Sequence, residues 1–175
     1  MKNNNGRNSR SIKTYVFTAV FAALICLAIT VIPSIPTANG YIHIGDSVIY
    51  LGACILPFPF GLAAASIGGA LADLTKGYAA YVLPTAIIKP LNAACFCMAA
   101  KADRIIIGRS IAASVLSGLV TIVGYYITEV ILYGNPVAQL ACLLPNAVQA
   151  GASCVIFILI GLALDKAKLT RYLEI

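Results

Sequence analysis

Hydrophobic residues in this chain gather into six blocks: Thr14–Ile32, Ile44–Leu56, Phe60–Leu71, Pro84–Ala100, Ser110–Leu132 and Val137–Leu164. The first is an uninterrupted run of 19 residues. That is long enough to span a bilayer and too long for a signal-peptide core, and no A-x-A-like site follows it. It is expected to be a retained first helix. The second and third blocks are short, about 12–13 residues or ~20 Å of helix. Between them lies PFPFG at 57–61, where each proline removes a backbone donor and disfavours helix in the residue before it. They form either one kinked span or two short ones.

Basic residues separate these alternatives, because cytoplasmic loops of membrane proteins carry the Lys and Arg excess. With six spans and a cytoplasmic N-terminus, ten basic residues lie inside: Lys2, Arg7, Arg10, Lys13, Lys101, Arg104, Arg109, Lys166, Lys168 and Arg171. Only Lys76 lies in an outer loop, and Lys89 is within a span. A single span over 44–71 would swap the later loops, leaving five inside against six outside. The expectation is therefore an all-α membrane protein of six transmembrane helices with both termini cytoplasmic. Residues 1–13 form a basic N-terminus, 14–165 the membrane domain and 166–175 a tail.

Composition agrees: 61% of residues are hydrophobic and 10% charged, far from the roughly 25% charged of a soluble domain. The net charge of +6 does not indicate nucleic acid, because the basic residues sit in short clusters between spans and form no basic face. Six cysteines all lie inside apolar segments and are expected to be packing residues. In the third block, Gly61, Ala65 and Gly69 form one stripe and Ala64, Gly68 and Ala72 the next, a device for close helix approach. Ala19-x-x-x-Ala23 repeats it in the first span. Sequence does not separate internal packing from a partner contact.

Ionisable and amide side chains inside a membrane are costly and mark function by default. At 1.5 Å per residue, Lys89 falls ~8 Å and Asn92 ~12 Å below the outer end of the fourth span; Glu129 is within ~5 Å of that side, with Tyr125 one turn deeper, and Asn146 and Gln149 lie ~14–18 Å down. His43 and Asp46 precede the second span and Asp73 ends the third. The inner halves of the six apolar blocks hold no Asp, Glu, Lys, Arg or His. A channel or ion-coupled carrier would place polar groups along its full depth, so the pattern describes an outward-facing cup with a dry floor. Lys89 with Asn92, Tyr125 with Glu129 and Asn146 with Gln149 each share a helix face. Those three faces, with Tyr81, His43 and Asp46, are the expected small-molecule site. A purely structural role for Lys89, paired with Glu129 or Asp73, stays open beside this. Asp46 is placed to cap the second helix, and His43 to touch the ligand or close over it.

Catalytic and metal-site patterns are lacking. The chain has no H-E-x-x-H, G-x-S-x-G or Walker A sequence and a single histidine, so no catalytic residue, metal ligand or cofactor is expected.

The run GYIHIGDSVIYLGACILPFPFGLAAASIGGALADLTKGYAAYVLPTAIIKPL resembles the substrate-binding S components of energy-coupling factor (ECF) transporters. The resemblance is carried by Gly45-Asp46, the break at 57–61, the small-residue helix ending Ala72-Asp73-Leu74, Gly77-Tyr78 and P-T-x-I-I-K at 84–89. It implies a multi-pass protein of a prokaryotic cell membrane that captures a vitamin or cofactor precursor from outside. A membrane-embedded T subunit and two cytoplasmic ABC ATPases would energise import, and the T subunit would dock on Ala19 and Ala23. Riboflavin, a thiamine precursor, a queuosine precursor and lipoate all remain possible ligands. A stand-alone carrier for a small organic solute is the alternative function.

Overall fold

A computed structural model describes residues 4–37, 39–97 and 104–168, with side chains described from Ile12 onward. Helix α1 spans Asn4–Thr30, and a minimal antiparallel hairpin follows, β1 (Ile35–Pro36) pairing Ile35 with Ile42 and Pro36 with Tyr41 of β2 (Tyr41–Ile42). Next come α2 (Gly45–Ile55), α3 (Phe60–Thr75), α4 (Ala79–Ala94) and α5 (Gly108–Tyr133). A short α6 (Pro136–Gln139), a 3-10 turn (Leu140–Cys142) and α7 (Leu143–Lys166) make one continuous rod. Six helical units thus form an all-α membrane bundle. Three of them, Ile12–Thr30, Gly108–Tyr133 and Pro136–Lys166, are long and apolar enough to cross a bilayer alone.

The PFPFG segment separates two helices and does not kink one. Leu56 is extended after α2 and Phe60 N–H bonds Pro57 O at 2.8 Å. Gly61 then approaches Ala53 so closely that a Cβ would lie 3.2 Å from its Cα, so α3 folds back along α2. With 11 residues, α2 covers only ~16 Å, and the segment between α1 and α2 fills the remaining depth at one end of the bundle.

The fourth span begins earlier than the sequence suggested: α4 starts at Ala79, five residues before Pro84, and ends at Ala94. Pro84 and Pro90 both lie inside it, where neighbouring helices accommodate prolines that a soluble helix would reject. Residues 98–100 of that expected span lie outside the described residues. Similarly, α3 runs on to Thr75, past the end of its apolar block.

Packing is inside-out relative to a soluble domain. Val20, Leu24, Leu83, Ile87, Leu119 and Leu159 are exposed, while alanines, glycines and polar groups face inward. Both stripes of α3 are buried: a Cβ on Gly68 would sit 2.6 Å from Ala22 O of α1, and one on Gly69 2.9 Å from Lys89 Cγ of α4. Ala19 and Ala23 are exposed, so the two small-residue devices face opposite ways. At the end away from the hairpin, Tyr50, Phe96 and Phe157 close the core, with ring centroids 5.1–5.8 Å apart.

Gly68→Val should lower the thermal stability of the detergent-solubilised protein by about 1–3 kcal/mol, the usual cost of overpacking. Gly151→Ala, where nothing lies within 4 Å, should leave it unchanged. Equal effects of the two would contradict the close α1–α3 packing.

Candidate functional site

The segment between α1 and α2 is fastened across the end of the bundle. Lys76, at the end of α3, donates to Ile29 O at 3.3 Å and Ser34 Oγ at 2.5 Å, and its ammonium lies 4.1 Å over the Tyr41 ring. Tyr41 donates its hydroxyl to Asp73 Oδ1 at 2.7 Å. Asn39 Nδ2 donates to Glu129 Oε2 of α5 and Gln139 Oε1 of α6, both at 2.8 Å. The His43 N–H donates to Gln149 Oε1 of α7 at 3.1 Å. The segment therefore touches α3, α5, α6 and α7, and it roofs a cavity.

That cavity offers water about 80 Å³. Six of the side chains expected from sequence line it: His43, Tyr81, Tyr125, Glu129, Asn146 and Gln149. Tyr41, Tyr78 and Asp73 complete the wall from the roof and from the α3–α4 turn. The rings form a chain, with centroids 4.9 Å apart for Tyr41 and Tyr78, 6.1 Å for Tyr78 and Tyr81, and 6.4 Å for Tyr81 and Tyr125. Thr85 links this wall inward, donating to Asp73 Oδ2 and lying 3.0 Å from the Tyr125 hydroxyl.

Asp46, Lys89 and Asn92, expected beside the ligand, are not on the cavity wall. They lie beneath it and are fully buried. Because α4 starts at Ala79, Lys89 is ~15 Å along it rather than ~8 Å. Its partner is neither Glu129 nor Asp73: Lys89 Nζ reaches Asp46 Oδ1 at 2.6 Å. The other carboxylate oxygen accepts from Gln149 Nε2 at 3.0 Å. Gly69 makes this possible, since α4 can lay the Lys89 stem flat against α3 only where no Cβ intervenes. Asn92 donates to Thr121 Oγ1 of α5 at 2.8 Å.

Asp46 does not cap α2; its carboxylate is committed to Lys89 and Gln149, and no side-chain cap bond forms at that end. His43 Nδ1 instead accepts the Gly45 N–H at 3.1 Å. The imidazole is thus neutral, with its proton on Nε2, and burial pulls its pKa down to about 3. Asp46 favours the charged form, whereas Lys89 and Lys76 oppose it. Burial, reinforced by Asp73, holds the Tyr41 hydroxyl well above the usual phenol range. Among the described residues no three His, Cys, Asp or Glu side chains converge to hold a metal.

Asn39 and Gln139 escaped the sequence analysis. Asn39 sits in T-A-N-G, which reads as a turn, and Gln139 near the start of the last apolar block. Their only sequence signal was an amide beside the outer ends of spans already carrying Glu129 and Asn146.

Two outcomes follow from this geometry. Lys89→Met strands a buried carboxylate and should cost about 3–5 kcal/mol of stability, most of it regained in Lys89→Met with Asp46→Leu; equal losses in the single and double variants would show that the pair is not coupled. Separately, unfolding raises the His43 pKa from about 3 towards 6.5, so the unfolded chain binds the extra proton between those values. Stability should be flat above pH 7 and fall as pH drops through 6.5, by at most ~1.4 kcal/mol per pH unit from this group. Thermal melts of wild type and His43→Gln should differ in that slope; identical slopes would contradict a buried neutral imidazole.

Two similarities bear on what this arrangement belongs to. The chain is 33% identical over 122 residues to a protein of Pyrococcus woesei described as an uncharacterised protein in the gap 3' region, covering 70% of this chain and 80% of that one. The family profile described as ECF-type riboflavin transporter, S component, matches residues 9–166, which takes in α1 from Ser9 onward, α2 to α7 and the whole cavity. A six-unit membrane bundle with a roofed polar cavity at one end is thus a transporter subunit and not an enzyme: the chain belongs to the family of ECF-type S components.

Proposed function

We propose that this protein captures a vitamin-like small molecule in the cavity beneath residues 31–44 and hands it on with the help of a T subunit and two ABC ATPases. The single observation that carries this reading is the placement of ionisable groups: His43, Asp46, Asp73, Lys89 and Glu129 all lie at or just beneath the roofed end, whereas Asp165 caps the Ile105 and Ile106 N–H groups at the opposite end. Supporting it, among the described residues Lys13, Arg104, Arg109 and Lys166 lie at the opposite end, against Lys76 alone among basic loop residues at the cavity end. By the positive-inside rule the cavity then faces outward.

A drug-sized ligand needs roughly 300–1,000 Å³, well above the 80 Å³ present with the roof down. Entry therefore requires the roof to lift, breaking the hydrogen bonds of Asn39, Tyr41 and the His43 backbone. These anchors are few, and the adjoining hairpin has only two residues per strand. The roof is thus drawn from the least stable part of the fold.

Docking is assigned to the exposed face of α1 around Ala19 and Ala23. The same small-residue spacing on α3 is consumed by internal packing, whereas on α1 it faces outward, beside an apolar groove bordered by Val20, Phe21 and Leu24. A helix of the T subunit would approach there.

Ala19→Leu with Ala23→Leu should abolish ATP-dependent uptake in cells or liposomes carrying the whole complex and leave ligand binding by the purified chain intact. Full uptake by this double variant, or uptake by the chain alone driven by an ion gradient, would overturn the assignment in favour of a stand-alone carrier.

A further inference from the structure

This inference rests on the capture reading and concerns what the cavity takes. Two carboxylates, Asp73 and Glu129, stand on its wall, and no lysine or arginine does. The nearby cations are committed elsewhere. Lys89 is paired with Asp46 beneath the floor, the only ion pair among the described residues. Lys76 is held by Ile29 O and Ser34 Oγ behind the Tyr41 ring.

The carboxylates are hydrogen-bonded but not neutralised. Asp73 accepts from the hydroxyls of Tyr41 and Thr85, both neutral donors. Glu129 accepts from the Asn39 amide through Oε2, and its Oε1 has no hydrogen-bond partner among the described residues. Asn146 spends one amide N–H on Cys142 O at 3.0 Å and keeps its other N–H and its carbonyl oxygen, so it can donate or accept. The free carboxylate oxygen of Glu129 can only accept.

Between them runs the chain of four tyrosine rings, of which Tyr41 already faces Lys76 Nζ at 4.1 Å and Tyr125 faces Lys89 Nζ at 5.2 Å, leaving Tyr78 and Tyr81 to meet a ligand's charge. Aromatic faces carry negative potential and attract cations, by ~0.5–1 kcal/mol when exposed and about 2 or more when desolvated. Carboxylates at the edge of a low-dielectric bundle add to that attraction and repel an anion. The same two features, acid and rings, favour one sign of charge.

We propose that the ligand of this cavity is a small organic cation, a planar nitrogen heterocycle or substituted amine, whose charge is met by Glu129 and the rings of Tyr78 and Tyr81. Glu129 is then a specificity-determining residue: it selects the positively charged member of a set of ligands of one shape. Asp73 adds to the field while anchoring the roof through Tyr41. Room for a single ring under the closed roof is consistent with the 80 Å³ available.

A charge series of one shape isolates the effect: the N-methylnicotinamidium cation, neutral nicotinamide and anionic nicotinate, titrated against the full chain in nanodiscs by ligand-observed NMR. The cation should bind at least about tenfold tighter than the neutral ring, a difference of ~1.4 kcal/mol, and nicotinate should not bind. Glu129→Gln should remove most of that preference, bringing the cation and the neutral ring to within about threefold of each other. Tyr78→Leu, which leaves the carboxylates in place, should weaken the cation more than the neutral ring.

Equal affinities, the reverse order, no saturable binding of the cation, or a preference unchanged in Glu129→Gln would overturn the proposal. Riboflavin, a neutral ligand, separates this from the capture reading. If riboflavin saturates the wild-type cavity while the cation does not, the cation proposal falls and capture stands. If no probe saturates the protein and no small molecule is retained through purification by native mass spectrometry, both fall.

Discussion

The ion pair between Lys89 and Asp46 is the interaction on which the site depends. It joins α4 to the first turn of α2 at a depth where neither charge meets water, and Gln149 ties α7 to the same carboxylate. Gln149 also accepts the His43 N–H, so one amide connects the buried pair to the roof. The His43 side chain then orders α2 by accepting the Gly45 N–H. A buried pair of this kind adds little net stability over an apolar replacement. Its use here is positional, since it sets the floor of the cavity and the register of three helices that surround it.

This arrangement divides the polar residues of the bundle into two layers. The lower layer, Asp46, Lys89, Asn92 and Thr121, is internally satisfied apart from the Asn92 carbonyl oxygen. The upper layer, Glu129, Asn146, His43 and the tyrosines, keeps polar atoms and ring faces on the cavity wall. Only the upper layer lines the cavity, and its charged side chains are carboxylates. The positive charge of Lys89 is neutralised one layer down by Asp46.

Much of this was legible in the sequence. Block lengths and the Lys and Arg distribution point to six helices, and the prolines at 57 and 59 do separate α2 from α3. The confinement of polar residues to one half marked the cavity end, and six of the nine expected binding residues line the cavity. Depth was the weak point. Pro84 looked like a helix start, but a membrane helix carries proline in its interior, and the shift to Ala79 lowered Lys89 and Asn92 below the cavity. The partner of Lys89 lies 43 positions away, and no periodicity within a helix encodes such a pairing. Stripes of small residues on α1 and α3 look alike as sequence. Only the packing shows that those of α3 are buried and that Ala19 and Ala23 are exposed.

The central claim is that the ligand sits above an intact Lys89–Asp46 pair. A structure of the protein with its retained ligand tests this most directly. The account predicts ligand density among Tyr78, Tyr81, Tyr125 and Glu129, with Lys89 Nζ still within hydrogen-bond distance of Asp46. Ligand density on Lys89 Nζ, with Asp46 displaced from it, would contradict the account.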